Sequence, residues 1–472
     1  MGGFFGIASE DDCILRVFYG TDYHSHLGTK IGGMSAYSKR DGFQREIHNI
    51  KNAPFRTRFE GIAEKMGGRV AMGCISDLSP QPLLIRSKLG VFSICIEGAI
   101  NNTDFLVDKI LDSGLNHFET MGGGEINLAE LVGAIISEKD SFVEGILHAQ
   151  DLVEGTLSIL IMKEDRIIAS RDKFGRIPMI IGKNDRAHCV SFESFAHKKL
   201  GFDDYYEVGP GEIVEICSGG MEKLSPPRKE MKICSFLWVY YGYPNSNYEG
   251  VNVETMRNKN GELMAELESD DVLESIDLIS GVPDSGVPHA IGFSNNCSKP
   301  FKRPFIKYTP TWPRSFIPNS QDERGMVAKM KIIPVNELIK DKKILLIDDS
   351  IVRGTQLGKS VDLLYSNGAK EVHMRSASPP YMYVCPYLNP DVNNSDLNLL
   401  TRRVIMELEG EEGFEHLDEY SDSGTERGKK MRELIAEKYG FTTLEFQSVE
   451  NTIKAIGIDR EKLCTYCWTG KK

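Results

Sequence analysis

The chain has 472 residues, 41% hydrophobic and 26% charged, enough for about two or three domains with their own cores and unlike a disordered, collagenous or coiled-coil composition. Lysine and arginine number 56 against 68 acidic residues, and the net charge of −12 excludes the broad basic footprint of nonspecific nucleic-acid binding. No apolar run approaches the roughly 18 residues of a membrane span, and the start lacks a charged-then-apolar signal layout, so a cytoplasmic protein without membrane or nucleic-acid partners is expected.

In chain order, the first half reads as strand-rich. Short apolar or alternating runs punctuated by glycine, at 69–73, 90–96, 156–162 and 166–169, predict strands, and helical periods fall near 103–113 and 127–138. A seam follows, from Ser218-Gly219-Gly220 to Ser225-Pro226-Pro227-Arg228-Lys229, and separates a predicted domain at 1–225 from a second at 231–472. Beyond it, long helical periods alternate with short buried strands, the signature of an α/β domain with a parallel sheet. The clearest unit begins at Lys343. Four apolar residues, Ile344 to Ile347, lie between a charged pair and an acidic pair, as suits a strand buried on both faces. Leu357, Val361 and Leu364 then recur at helical spacing, Asn367-Gly368 supplies a stop, and 371–375 can return as the next strand.

In such a crossover the functional groups gather at the carboxyl end of the strand, where backbone N–H groups face outward. Asp348 and Asp349 stand there. Adjacent carboxylates can accept from two vicinal sugar hydroxyls, while Ser350, Ile351, Val352, Arg353, Gly354 and Thr355 form a loop of N–H and hydroxyl donors suited to a phosphate. An acidic strand end before a helix cap has the same residue types.

The full string, Ile344 to Thr355, resembles the phosphoribosylpyrophosphate (PRPP) motif of type I phosphoribosyltransferases, in the wording of the glutamine PRPP amidotransferases. Val282-Pro283-Asp284-Ser285-Gly286-Val287-Pro288 is similar to that family's pyrophosphate loop, Pro313-Arg314-Ser315-Phe316-Ile317 to its Gly-Arg-Thr-Phe-Ile and Lys329-Met330-Lys331 to its Arg-x-Lys. The resemblance covers most of 231–385. It implies that Asp348 and Asp349 hold the ribose hydroxyls and that residues 350–355 hold the 5′-phosphate. Asp284, Ser285 and Gly286 would face a pyrophosphate that Arg314, Lys329 and Lys331 help to neutralise, with Mg²⁺ bridging oxygens near Asp348 and Asp349. Gln356 departs from the family's Thr and Lys329 from its Arg; Leu237 and Tyr243 stand for an expected Glu and Arg.

Of ten cysteines only Cys464 and Cys467 lie close together, and a C-x-x-C pair is half a metal site. A subgroup of the family carries a structural [4Fe–4S] cluster, and Cys234, Cys385, Cys464 and Cys467 fall where that subgroup has its ligands, with zinc as the alternative occupant.

The first half resembles the N-terminal-nucleophile glutaminases, an α+β fold of αββα layers, through Gly3-Phe4-Phe5-Gly6-Ile7, 171–178, 191–196 and 208–212. That chemistry needs a cysteine directly after the initiator Met. Gly2 stands there instead. Ser76 replaces the arginine that clamps the glutamine carboxylate, Ile96-Glu97-Gly98-Ala99 replaces His-Asn-Gly-Asn, and Gly122-Gly123-Gly124-Glu125 replaces Ser-Asp-Thr-Glu. The expectation is a pseudo-glutaminase fused to a phosphoribosyltransferase. It would form 5-phosphoribosylamine and pyrophosphate from PRPP and ammonia or another amine, as a homo-oligomer or beside a paralogous subunit. The alternative is a noncatalytic PRPP- or nucleotide-binding regulator of a complete paralogue.

Overall fold

A computed structural model describes residues 2–114, 117–307, 332–388 and 395–471. The first half is a four-layer αββα sandwich. A seven-stranded antiparallel sheet runs in the order 203–207, 180–184, 187–191, 3–9, 70–76, 31–38, 42–49, and a six-stranded sheet in the order 220–225, 213–217, 167–170, 155–162, 90–100, 83–87. Alternation along a strand sends its side chains to two different cores. In the Gly3–Ser9 strand, Phe4 and Ala8 join the core between the sheets, while Phe5 and Ile7 pack against the helices Ile14–Asp22 and Phe55–Ala63. In the Gly90–Ile100 strand, Phe92, Ile94 and Ile96 face the helices Thr103–Asp112, Leu128–Ser137 and Phe142–Leu152, and Cys95 faces the sandwich interior.

The second half is built on a four-stranded parallel sheet, in the order Leu278–Gly281, Lys343–Asp348, Glu371–Ser376, Thr443–Phe446. Ile344 and Leu346 pack on one face and Leu345 and Ile347 on the other, the two-sided burial predicted for that strand. The helix Thr355–Ser366 makes the expected crossover to Glu371–Ser376, and His373 on that strand is buried against Thr443 Oγ1 at 3.0 Å, a packing position. No described helix is long and apolar enough to cross a membrane.

The two halves meet over a polar junction. Glu193, 2% exposed, accepts from His26 Nε2 at 2.8 Å, from Tyr248 Oη at 2.7 Å and from Ser246 Oγ. Burial pushes its carboxyl up, but the His26 contact and the two hydroxyls outweigh it and hold the group below the usual carboxylate value.

Candidate functional site

At the carboxyl edge of the parallel sheet two loops far apart in sequence converge. Gly281 pairs with Ile347, and the Val282 N–H donates to Ile347 O at 2.8 Å, which sets residues 283–286 beside 348–350. Ser285 Oγ donates to Asp349 Oδ1 at 2.5 Å and Ser350 Oγ to Asp349 Oδ2 at 2.6 Å, so Asp349 ties both loops together. The approach leaves no room for a side chain at Gly286, whose Cβ would lie 2.3 Å from Ile347 O. Asp284 stays exposed and pairs with Lys307 Nζ at 2.6 Å. Arg314, Lys329 and Lys331 lie outside the described residues.

The charge at this edge is unfavourable until something binds. Burial raises the Asp348 carboxyl, and the adjacent Asp349 raises it further; burial also raises Asp349, against the pull of the Ser285 and Ser350 hydroxyls. Two neighbouring acids held in this way favour hydroxyl donors or a hard cation. Beyond them Gly354, at φ +78°, turns the chain into the helix starting at Thr355. Sequence reasoning missed Arg257. Its buried guanidinium donates to Trp238 O, Tyr240 O and Gly242 O at 2.8, 3.0 and 2.9 Å, and its charge opposes the rise at Asp349. A lone arginine within a helical period carries no motif that could reveal this role.

At the start of the chain the space is filled from within. Gly2 is buried, and its N–H donates to Glu97 Oε1 at 2.6 Å. A Cβ at residue 2 would lie 2.2 Å from Ile75 O, 2.6 Å from Glu97 Oε2 and 3.0 Å from Ser76 Cα. Gln81, fully buried, completes the filling: its amide nitrogen donates to Ser76 Oγ at 3.0 Å and Ile96 O at 2.9 Å, and its oxygen accepts from Ile96 N at 2.8 Å. Gly123 and Gly124 lie in an exposed turn at positive φ, with no atom near enough to meet a Cβ.

Burial pushes the Glu97 carboxyl up from 4.5 to about 7, against the Gly2 hydrogen bond. A folded-state value above the unfolded one means that ionisation costs stability. The cost is absent below about pH 4.5, grows to about pH 7 and is complete above it. Glu97→Gln is therefore expected to raise stability at pH 8 by up to about 3 kcal/mol and to flatten the decline across that window in denaturant titrations. A variant with the parent's pH dependence would contradict this account of the pocket.

The four cysteines singled out in the sequence share one neighbourhood. Cys234 pairs in parallel register with Cys464, and the Met382 and Tyr383 N–H groups donate to Cys467 O, bringing Cys385's segment alongside. Burial raises the Cys234, Cys385 and Cys467 thiols, and neighbouring cysteines raise each further. The first half reaches the same place: Arg176 lies over the Tyr387 ring at 3.7 Å, and its carbonyl accepts from Cys234 N at 3.1 Å.

No family model matches the chain. It is 28% identical to the amidophosphoribosyltransferase of Methanocaldococcus jannaschii, over all of this chain and 97% of that one. It is 29% identical to that of Bacillus subtilis, over 99% and 93%. The glutamine PRPP amidotransferase of B. subtilis, solved with ADP and GMP, superposes with a TM-score of 0.81 at 27% identity, covering 99% of this chain and 96% of the other. A structure described as the allosteric regulatory enzyme of purine biosynthesis gives 0.82 at 26% identity, covering 99% and 95%.

Proposed function

The chain belongs to the amidophosphoribosyltransferase family, and from that premise we propose that it binds PRPP and joins ammonia, rather than glutamine nitrogen, to the ribose. The observation that carries the transferase half is the Ser285–Asp349–Ser350 bridge, which unites the two loops a phosphorylated pentose would span. Asp348 and Asp349 hold the ribose hydroxyls; Ser350, Ile351, Val352, Arg353, Gly354 and Thr355 enclose the 5′-phosphate. Asp284, Ser285 and Gly286 face the pyrophosphate, where Arg314, Lys329 and Lys331 add positive charge. As the C1–O bond breaks, positive charge grows on the ribose and negative charge on the leaving group, so cations and N–H dipoles at the pyrophosphate end stabilise the transition state. The raised acids Asp348 and Asp349 suit Mg²⁺, which when bound supplies charge neutralisation to the leaving pyrophosphate.

The amide half supports the choice of ammonia. Residue 2 has no room for a nucleophile's side chain, and the chain's own Glu97 and Gln81 line the surrounding space. Pyrophosphate release from Mg-PRPP in ammonium, compared with glutamine, tests the reading. PRPP binding without turnover would favour the regulatory role instead.

The cysteine neighbourhood suits an iron–sulfur cluster, with zinc as the alternative occupant. Ser235 Oγ, Tyr381 Oη and Trp468 Nε1 are buried there without hydrogen-bond partners, and donors of this kind can serve cluster sulfurs. In this reading Cys234, Cys385, Cys464 and Cys467 ligate a [4Fe–4S] cluster that staples the chain's end to the sheet. The purified protein should then hold about four irons and matching labile sulfide. Replacing Cys464 and Cys467 by serine should remove both and lower the unfolding temperature; iron retained at the parent level would contradict the assignment.

A further inference from the structure

The stretch 387–440 departs from the family strings, yet part of it lies directly against residues 350–355. The helix Leu400–Glu409 faces that loop. The Leu400 N–H donates to Val352 O at 2.8 Å, and Arg403 Nη2 donates to Arg353 O at 2.8 Å. Arg403 is held in turn, because its Nη1 donates to Leu397 O at 3.2 Å and Asn398 O at 3.0 Å. Next along the loop, a Cβ on Gly354 would lie 2.3 Å from Tyr439 Oη and 3.1 Å from Leu400 Cδ2. Two other side chains anchor the helix to the segment that follows the Glu371–Ser376 strand: Thr401 Oγ1 donates to Tyr381 O, and Arg402 Nε donates to Met382 O at 2.6 Å.

A trans peptide unit points its C=O and the following N–H in opposite directions. With the carbonyls of Val352 and Arg353 both drawn towards the helix, the N–H groups of Arg353 and Gly354 turn to the other side. An anion there meets two donors already oriented, and binding does not have to fix those peptides. We propose that the helix Leu400–Glu409 presets the phosphate loop, with Arg403 as a positioning residue that acts through the Arg353 carbonyl. This rests on the reading of 350–355 as the phosphate-binding loop.

The test uses the full-length chain with Arg403→Ala, Arg403→Gln and Arg403→Lys, with Mg-PRPP as the probe. Arg403→Ala should weaken PRPP binding about tenfold, as expected for one lost charged hydrogen bond. It should raise KM for PRPP while kcat stays within about twofold, because the 5′-phosphate is held equally in ground and transition states. Protection of the amide hydrogens at 353 and 354 from exchange by bound Mg-PRPP should be weaker than in the parent. Arg403→Lys, which keeps a donor, should recover part of both effects, and Arg403→Gln provides a second reading if the alanine variant folds poorly. Unchanged affinity and unchanged protection at 353–354 in folded variants would overturn the inference alone. Absence of PRPP binding by the parent chain would overturn the underlying reading and the inference with it.

Discussion

Asp349→Asn is expected to reduce PRPP-dependent pyrophosphate release by about one to two orders of magnitude while leaving the fold as stable as before or slightly more so. The carboxylate accepts from Ser285 on one oxygen and Ser350 on the other, and the amide can accept on only one. Each charged hydrogen bond contributes roughly 1.5–3 kcal/mol, and every 1.4 kcal/mol is about tenfold in rate. Stability should move the other way, because burial raises the Asp349 carboxyl and the Asp349 charge raises the neighbouring Asp348. Removing its charge lets Asp348 ionise more readily. A general folding defect would lower activity and stability together, so steady-state kinetics and denaturant titration on one sample separate the two explanations. Activity within about threefold of the parent would show that Asp349 does not hold substrate.

The second large effect concerns residue 2. Gly2→Cys would restore the residue type that glutamine hydrolysis needs, and it is expected to yield no glutamate from glutamine and to destabilise the chain by about 1–3 kcal/mol. The obstacle is backbone: the added Cβ meets the Ile75 carbonyl at 2.2 Å as well as Glu97 Oε2 at 2.6 Å. Combining it with Glu97→Asn relieves only the second contact, and Gln81 still occupies the space between Ser76 and Ile96. Glutamate formation by Gly2→Cys alone, followed by coupled assay, would mean that the pocket opens readily and that only the nucleophile was lost.

Much of this arrangement was legible because it is local. The Lys343–Asp348 strand, its crossover helix and the Glu371–Ser376 return follow from apolar spacing over some thirty residues, and the strand's two-sided burial follows from four consecutive aliphatic residues. The loops at 284–286 and 348–355 could be named from their strings, but their meeting at Asp349 depends on the pairing of Gly281 with Ile347, which no local pattern encodes. Substitutions in the amide half were visible one by one. What fills the space was not, because Gln81 is one polar residue beside a proline and its partners at Ser76 and Ile96 lie on two different sheets. Glu193 stood in a string noted for its resemblance alone, and its place at the junction with Ser246 and Tyr248 emerges only once the two halves are packed together.

The most direct test of the central claim is the nitrogen source. Purified protein with Mg-PRPP should release pyrophosphate in proportion to added ammonium, and in glutamine it should release none above background and form no glutamate. Release that depends on glutamine with matching glutamate, or no release in saturating ammonium from a protein that binds PRPP, would contradict it.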